Sequence, residues 1–124
     1  MKQILAIAAG GAIGAVLRYG MSNGVYAIFG RSFPYGTLAV NVFGSLLMGL
    51  LFVFFLERAT LDVVWRAAIL IGGLGAFTTF STFSIETLNL IEEGQPTLAM
   101  LNALLSVVMC VGATWLGVIL ARQF

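Results

Sequence analysis

Apolar residues run along this chain in four blocks separated by short polar breaks. The charged side chains Lys2, Arg18, Arg31, Glu57, Arg58, Asp62, Arg66, Glu86, Glu92, Glu93 and Arg122 leave uncharged stretches at 32–56, 67–85 and 94–121. Each approaches or exceeds the roughly 20 residues that a helix needs to cross a bilayer. A further run starts at residue 3 and is interrupted only by Arg18 before Tyr26-Ala27-Ile28-Phe29. The pattern predicts an all-α integral membrane chain, one domain over 1–124, with four transmembrane helices at 3–28, 33–56, 63–91 and 96–121. Gly30 to Gly36, Glu57 to Asp62 and Glu92 to Pro96 carry the glycine, proline or charge expected where the chain turns.

The third block differs from the others. Gly72, Gly73 and Gly75 precede five hydroxyl residues, Thr78, Thr79, Ser81, Thr82 and Ser84, interleaved with Phe77, Phe80 and Phe83. Lipid cannot hydrogen-bond those hydroxyls, so they face a protein interior, an ion or water. Three glycines in four positions make a continuous helix locally costly, which predicts a break near 75–80. Carbonyls freed by a break at membrane depth need a partner, and a cation is one way to supply it. Neutral donors and rings gathered at one depth, without a matching set of buried charges, read most simply as handling a small ion. Gly10 with Gly14, Gly20 with Gly24, and Gly44 beside Ser45 are expected to be helix-packing seams.

Composition removes most competing classes. Sixty per cent of the residues are hydrophobic, 9% are charged and the mean hydropathy is +1.07, values that a soluble domain of 124 residues has no polar surface to cover. The absence of histidine excludes a histidine relay or metal site, and the single cysteine, Cys110, excludes an internal disulfide. An intramembrane serine hydrolase lacks a base, so the chain is read as a non-enzyme. Six cations scattered over loops make no nucleic-acid face. Met1-Lys2-Gln3 and the apolar run behind it superficially resemble a secretory signal, but without a small-residue cleavage site the run is expected to be the first membrane helix. Lys2, Arg58, Arg66 and Arg122 on the terminal side outnumber Arg18 and Arg31 by only about two. So slight a bias permits insertion both ways, with inverted copies pairing antiparallel.

Four features together resemble the CrcB/Fluc family of fluoride channels: GTLAVN at Gly36 to Asn41, GLGAFTTFSTFSIE from Gly73 to Glu86, Arg18 in the first span, and Asp62 followed by Trp65-Arg66 at the start of the third. The resemblance covers essentially the whole chain. It implies an antiparallel dual-topology homodimer in a bacterial inner membrane, with two fluoride pathways and a third helix broken near its centre. It also implies a structural sodium ion at the dimer interface, held by the main-chain carbonyls of Gly75 and Thr78 from both subunits. The anion pathway falls by resemblance on Asn41, Phe80 and Phe83, with Ser81 and Ser84 close by and Ser106 on the fourth span. Asn102 and Cys110 stand where many relatives carry tyrosine and serine. The task implied is passive export of cytoplasmic fluoride to relieve its toxicity.

The residue types suit that chemistry. The edge of a phenyl ring carries positive quadrupole charge and stabilises an anion without holding it as tightly as an arginine does. Amides and hydroxyls add donors, and conduction requires many modest contacts so that the ion can leave. Asn41 alone also fits interhelical glue. Arg18 and Glu86 are assigned to a vestibule or to structure, with Glu86 either at an aqueous mouth or paired with a cation such as Arg18. Two other readings stay open. One is a small dual-topology multidrug exporter, although that class relies on an acid in its first span, where this chain has Arg18. The other is a non-transporting membrane assembly protein, in which the hydroxyls are only glue.

Overall fold

A computed structural model describes residues 1–58 and 61–124. Part of the expected second connection, residues 59 and 60, lies outside the described residues. The described chain is all-helical, and four spans are long and apolar enough to cross a membrane: Lys2–Phe29, Tyr35–Arg58, Val63–Glu92 and Pro96–Gln123. We label the helices α1 (Lys2–Phe29), α2 (Tyr35–Arg58), α3 (63–77), α4 (Phe80–Glu92) and α5 (Pro96–Gln123). A 28-residue helix such as α1 or α5 is roughly 40 Å long, enough for the hydrocarbon core and part of each headgroup layer. Large apolar side chains face outward all along them, as with Val16 at 70% exposure and Val108 at 66%. That arrangement is stable only against lipid or another apolar surface.

Local chemistry ends each helix. α1 stops at Gly30, whose φ of 84° is open to glycine at little cost and whose N–H donates to the Tyr26 carbonyl at 2.8 Å. Pro34 then caps α2, with Phe33 buried beneath the turn and tilted against Tyr35. Asp62 caps α3 by accepting from the Val64 N–H at 3.3 Å. At the end of α4 the N–H of Gln95 reaches the Leu90 carbonyl at 2.8 Å and that of Gly94 the Ile91 carbonyl at 3.1 Å, the paired bonds of a Schellman turn, with Gly94 at φ 78°. Pro96 follows at the first turn of α5, where its missing N–H costs nothing.

Close helix contacts form through glycines. On α1, a Cβ at Gly10 would lie 2.0 Å from the Ala68 carbonyl oxygen, and one at Gly14 would lie 2.1 Å from that of Gly73. From the other side, a Cβ at Gly72 would meet the Ile7 carbonyl oxygen at 2.5 Å. α2 and α5 pack in the same manner, Gly49 against Thr114 and Gly117 against Leu46, each within 2.4 Å of a carbonyl oxygen. The Thr114 hydroxyl also donates to the Ser45 carbonyl at 3.1 Å. Of the expected seams, Gly10 with Gly14 and Gly44 are packing positions. Gly20 and Gly24 are not: both are exposed, and nothing among the described residues lies within 4 Å of a Cβ there.

Two extended residues separate α3 from α4. Thr78 has φ −85° and ψ 158°, and Thr79 φ −151° and ψ 120°. Before them, residues Ala67–Leu74 are wound as a π-helix, and Gly75–Phe77 return to α geometry.

Candidate functional site

Extended backbone inside an apolar helix leaves amides and carbonyls without their usual partners. The Thr79 N–H, which in a continuous α-helix closes on the Gly75 carbonyl, donates instead to Asn41 Oδ1 at 2.8 Å. Asn41 Nδ2 returns a bond to the Thr79 carbonyl at 2.9 Å. The side-chain amide thus pairs with the Thr79 peptide as a neighbouring strand would, from α2, 38 positions away. Thr79 also caps α4 by accepting from the Thr82 N–H at 3.3 Å. Gly44, one turn beyond Asn41 on α2, lets the break approach: a Cβ there would lie 2.3 Å from the Thr78 methyl.

That pairing leaves the Gly75 carbonyl without its helical donor, and among the described residues no hydrogen bond reaches the Thr78 carbonyl. Gly75 is exposed, and a Cβ added to it has only the Leu70 carbonyl oxygen within 4 Å, at 3.8 Å. The described residues contain no cluster of three or more metal-binding acidic, histidine or cysteine side chains. Neutral carbonyl oxygens are the donors that a hard cation accepts, so these residues fit sodium in kind.

One face of the break borders a groove of about 370 Å³ between α2, α4 and α5. Asn41, Phe80, Phe83 and Ser106 share it, together with Cys110 and Thr114. The Phe80 and Phe83 rings lie 5.3 Å apart at 46°, and Phe80 is 78% exposed. Phe77, by contrast, is buried and meets Phe43 edge to face at 6.2 Å. The Ser106 hydroxyl is buried with no hydrogen-bond partner among the described residues, and a buried hydroxyl in that state calls for one. Asn102 is the polar anchor of this wall: at 2% exposure it donates to the Thr87 hydroxyl at 2.9 Å, which donates in turn to the Phe83 carbonyl at 2.7 Å. Two expected pathway residues lie outside the groove. Ser81 is exposed away from it, and Ser84 is exposed with its hydroxyl bonded back to the Phe80 carbonyl at 2.9 Å.

Across α4 lies a second, polar cleft of about 370 Å³. The stripe Thr82, Glu86 and Asn89 lines it from α4, with Glu93 at that helix's C-cap, and Tyr26 and Thr37 line it from α1 and α2. Glu86 Oε2 accepts from the Tyr26 hydroxyl at 2.8 Å, and Oε1 accepts from the Thr37 hydroxyl. Arg18 sits in an adjoining cleft of about 300 Å³ that reaches Thr79 and shares Ser22, Thr37 and Thr82 with the polar cleft. Of the two alternatives for Glu86, pairing with Arg18 is not found: the one ion pair among the described residues joins Arg122 to Glu57 at 2.9 Å, where the ends of α5 and α2 meet. Sequence reasoning passed over Tyr26 and Thr37. Thr37 sits inside the quoted GTLAVN string, whereas nothing around Tyr26 marks it.

Comparison with known proteins is consistent across the chain. Residues 5–118 match the family model described as CrcB-like protein, Camphor Resistance (CrcB). A relative from Magnetococcus marinus, named fluoride-specific ion channel FluC, is 57% identical over 120 residues, covering 97% of this chain and 98% of the relative. One of the same name from Coxiella burnetii is 54% identical over 121 residues, with 97% and 98% covered. Another from Geobacter sulfurreducens is 51% identical over 123 residues, with 99% of both chains covered. A family match over nearly the whole length, with four membrane-capable helices, shows that this multi-pass membrane chain belongs to the CrcB-like family.

Proposed function

We propose that the chain is a fluoride-selective ion channel that passively lets cytoplasmic fluoride leave a bacterial cell across the inner membrane, without enzymatic chemistry. The observation that carries this reading is the near full-length identity of 57% to a relative named fluoride-specific ion channel. The groove supports it. Asn41 has two amide hydrogens and spends one on Thr79, leaving the other for an ion. Ser106 holds an unspent hydroxyl, and two phenyl rings stand beside them. Fluoride sheds its hydration water only where several donors replace it, and none of these groups binds tightly enough to trap it. Asn41, Phe80, Phe83 and Ser106 are therefore the pathway residues, with Ser81 and Ser84 contributing only at a face that a second copy covers.

The working unit is a homodimer of two oppositely inserted copies. Exposure of Phe80 and of Gly75 in the single chain supports this, since each presents an unfinished surface to a partner. Carbonyls of Gly75 and Thr78 from both copies hold one sodium ion at the shared axis. When bound, that ion supplies positive charge to balance freed carbonyls and links the subunits. Arg18 draws anions toward the break through its cleft.

The decisive measurement is fluoride efflux from proteoliposomes compared with chloride efflux from the same vesicles. Rapid fluoride loss with chloride retained is expected. No flux of either ion would favour an assembly protein, and proton-driven loss of organic cations would favour an exporter.

A further inference from the structure

Among the described residues the Glu86 carboxylate is bonded only to neutral hydroxyl groups. Tyr26 donates to Oε2 at 2.8 Å and Thr37 donates to Oε1, and the two hydroxyl oxygens lie 3.4 Å from each other. The Tyr26 ring is itself held. The Arg31 guanidinium sits 4.5 Å from its centroid, and Gly36 lies so close that a Cβ would come within 2.4 Å of Cε2. A cation over the face of a phenol draws electron density from the ring and makes its hydroxyl a better donor. The charged groups around Glu86 are Arg18 on α1, Arg31 in the connection between α1 and α2, and Glu93 just past the end of α4. No residue of α5 lines this cleft.

The placement on α4 gives the cluster a task. Glu86 continues the Thr82 stripe on one side of the helix, while Phe80 and Phe83 line the groove on the other. Across one helix diameter of about 10 Å, an undamped carboxylate lowers anion occupancy on the order of tenfold at the effective dielectric of a protein. Resting on the fluoride-channel reading, we infer that Tyr26 is a positioning residue for anion conduction. Its hydroxyl, with that of Thr37, holds the Glu86 carboxylate on the far side of α4 and opposes its field, so that the acid does not repel fluoride from the groove. Tyr26 touches no ion itself and acts through Glu86.

The test compares wild type, Tyr26→Phe, Glu86→Gln and the double variant for fluoride efflux from proteoliposomes, after size-exclusion chromatography shows equal assembly. Tyr26→Phe keeps the ring, its stacking on Arg31 and its contact with Gly36, and removes one donor. Efflux by this variant is expected to fall severalfold, bounded by the roughly tenfold effect of a wholly undamped carboxylate because Thr37 still donates. In the Glu86→Gln background the same substitution should have no further effect, because the charge it manages is gone. A merely structural tyrosine gives an equal loss in both backgrounds, and that result overturns the inference, as does a Tyr26→Phe channel as fast as wild type. If Tyr26→Phe does not assemble, Thr37→Val read in the same two backgrounds decides in the same way. A wild-type chain that passes no fluoride overturns the channel reading, and this inference with it.

Discussion

Asn41 joins two jobs in one amide. Its Oδ1 and one N–H pair with the Thr79 peptide, and its second N–H is left for the groove. Asn41→Asp keeps the acceptor for the Thr79 N–H but sets a carboxylate oxygen against the Thr79 carbonyl. Losing that bond and leaving the carbonyl unpaired costs about 1–3 kcal/mol, before any repulsion of the anion. We expect loss of fluoride flux together with a lower thermal midpoint of the purified protein. Unchanged flux would remove Asn41 from the pathway. Phe80→Ile and Phe83→Ile test the rings separately: both keep apolar bulk and remove the positive edge, so assembly should survive and most fluoride flux should not. Normal conduction by two well-folded variants defeats the ring assignment.

At the scale of elements, the glycines of the third span divide by what surrounds them. Gly72 is pressed against α1, where a Cβ would sit 2.5 Å from the Ile7 carbonyl oxygen, and backbone cannot yield as a side-chain tip can. Gly75 has room. Gly72→Ala is therefore expected to destabilise the fold by about 1–3 kcal/mol through overpacking, visible as a lower melting temperature in detergent whatever the salt. Gly75→Ala leaves the single chain comfortable, so under the proposed sodium-linked dimer its defect should show as weaker dimerisation that depends on sodium. Thr78→Ala, which keeps the main-chain oxygen, should be milder than a bulky replacement at Gly75. A Gly75→Ala protein that loses its fold equally in sodium and in a large organic cation would overturn that division. The glycine triplet announced an irregular third span from the sequence alone. The two extended residues lie just after it, at Thr78 and Thr79, where Asn41 satisfies the backbone.

For the whole molecule, the outward apolar surface, the half-lined groove and the bare Gly75 are, in the proposed reading, surfaces that lipid and a second copy complete. If the copies insert in opposite senses, a reporter fused after Phe124 should be detected on both sides of the membrane, given the bias of about two cations between the loops. A reporter confined to the cytoplasm counts heavily against the antiparallel dimer. Sodium at the shared axis is structural in this reading, so fluoride flux should not follow an imposed sodium gradient.

The sequence by itself determined four membrane-capable helices and the family, because hydrophobic run length and contiguous motifs are properties of the chain read in one dimension. It also marked Phe80, Phe83, Asn41 and Ser106, which the fold brings to one groove. Only the tertiary structure decided which polar groups meet. Thr79 takes its partner from 38 positions away, and Glu86 takes Tyr26 from 60 positions away in place of Arg18. It also decided that Gly10 and Gly14 touch a neighbour while Gly20 and Gly24 do not, although the spacing is the same. The physical reason is common to all three. A hydrogen bond or a close glycine contact depends on the faces that two helices turn toward each other, and that rotation is set by packing across the bundle, which no local pattern records.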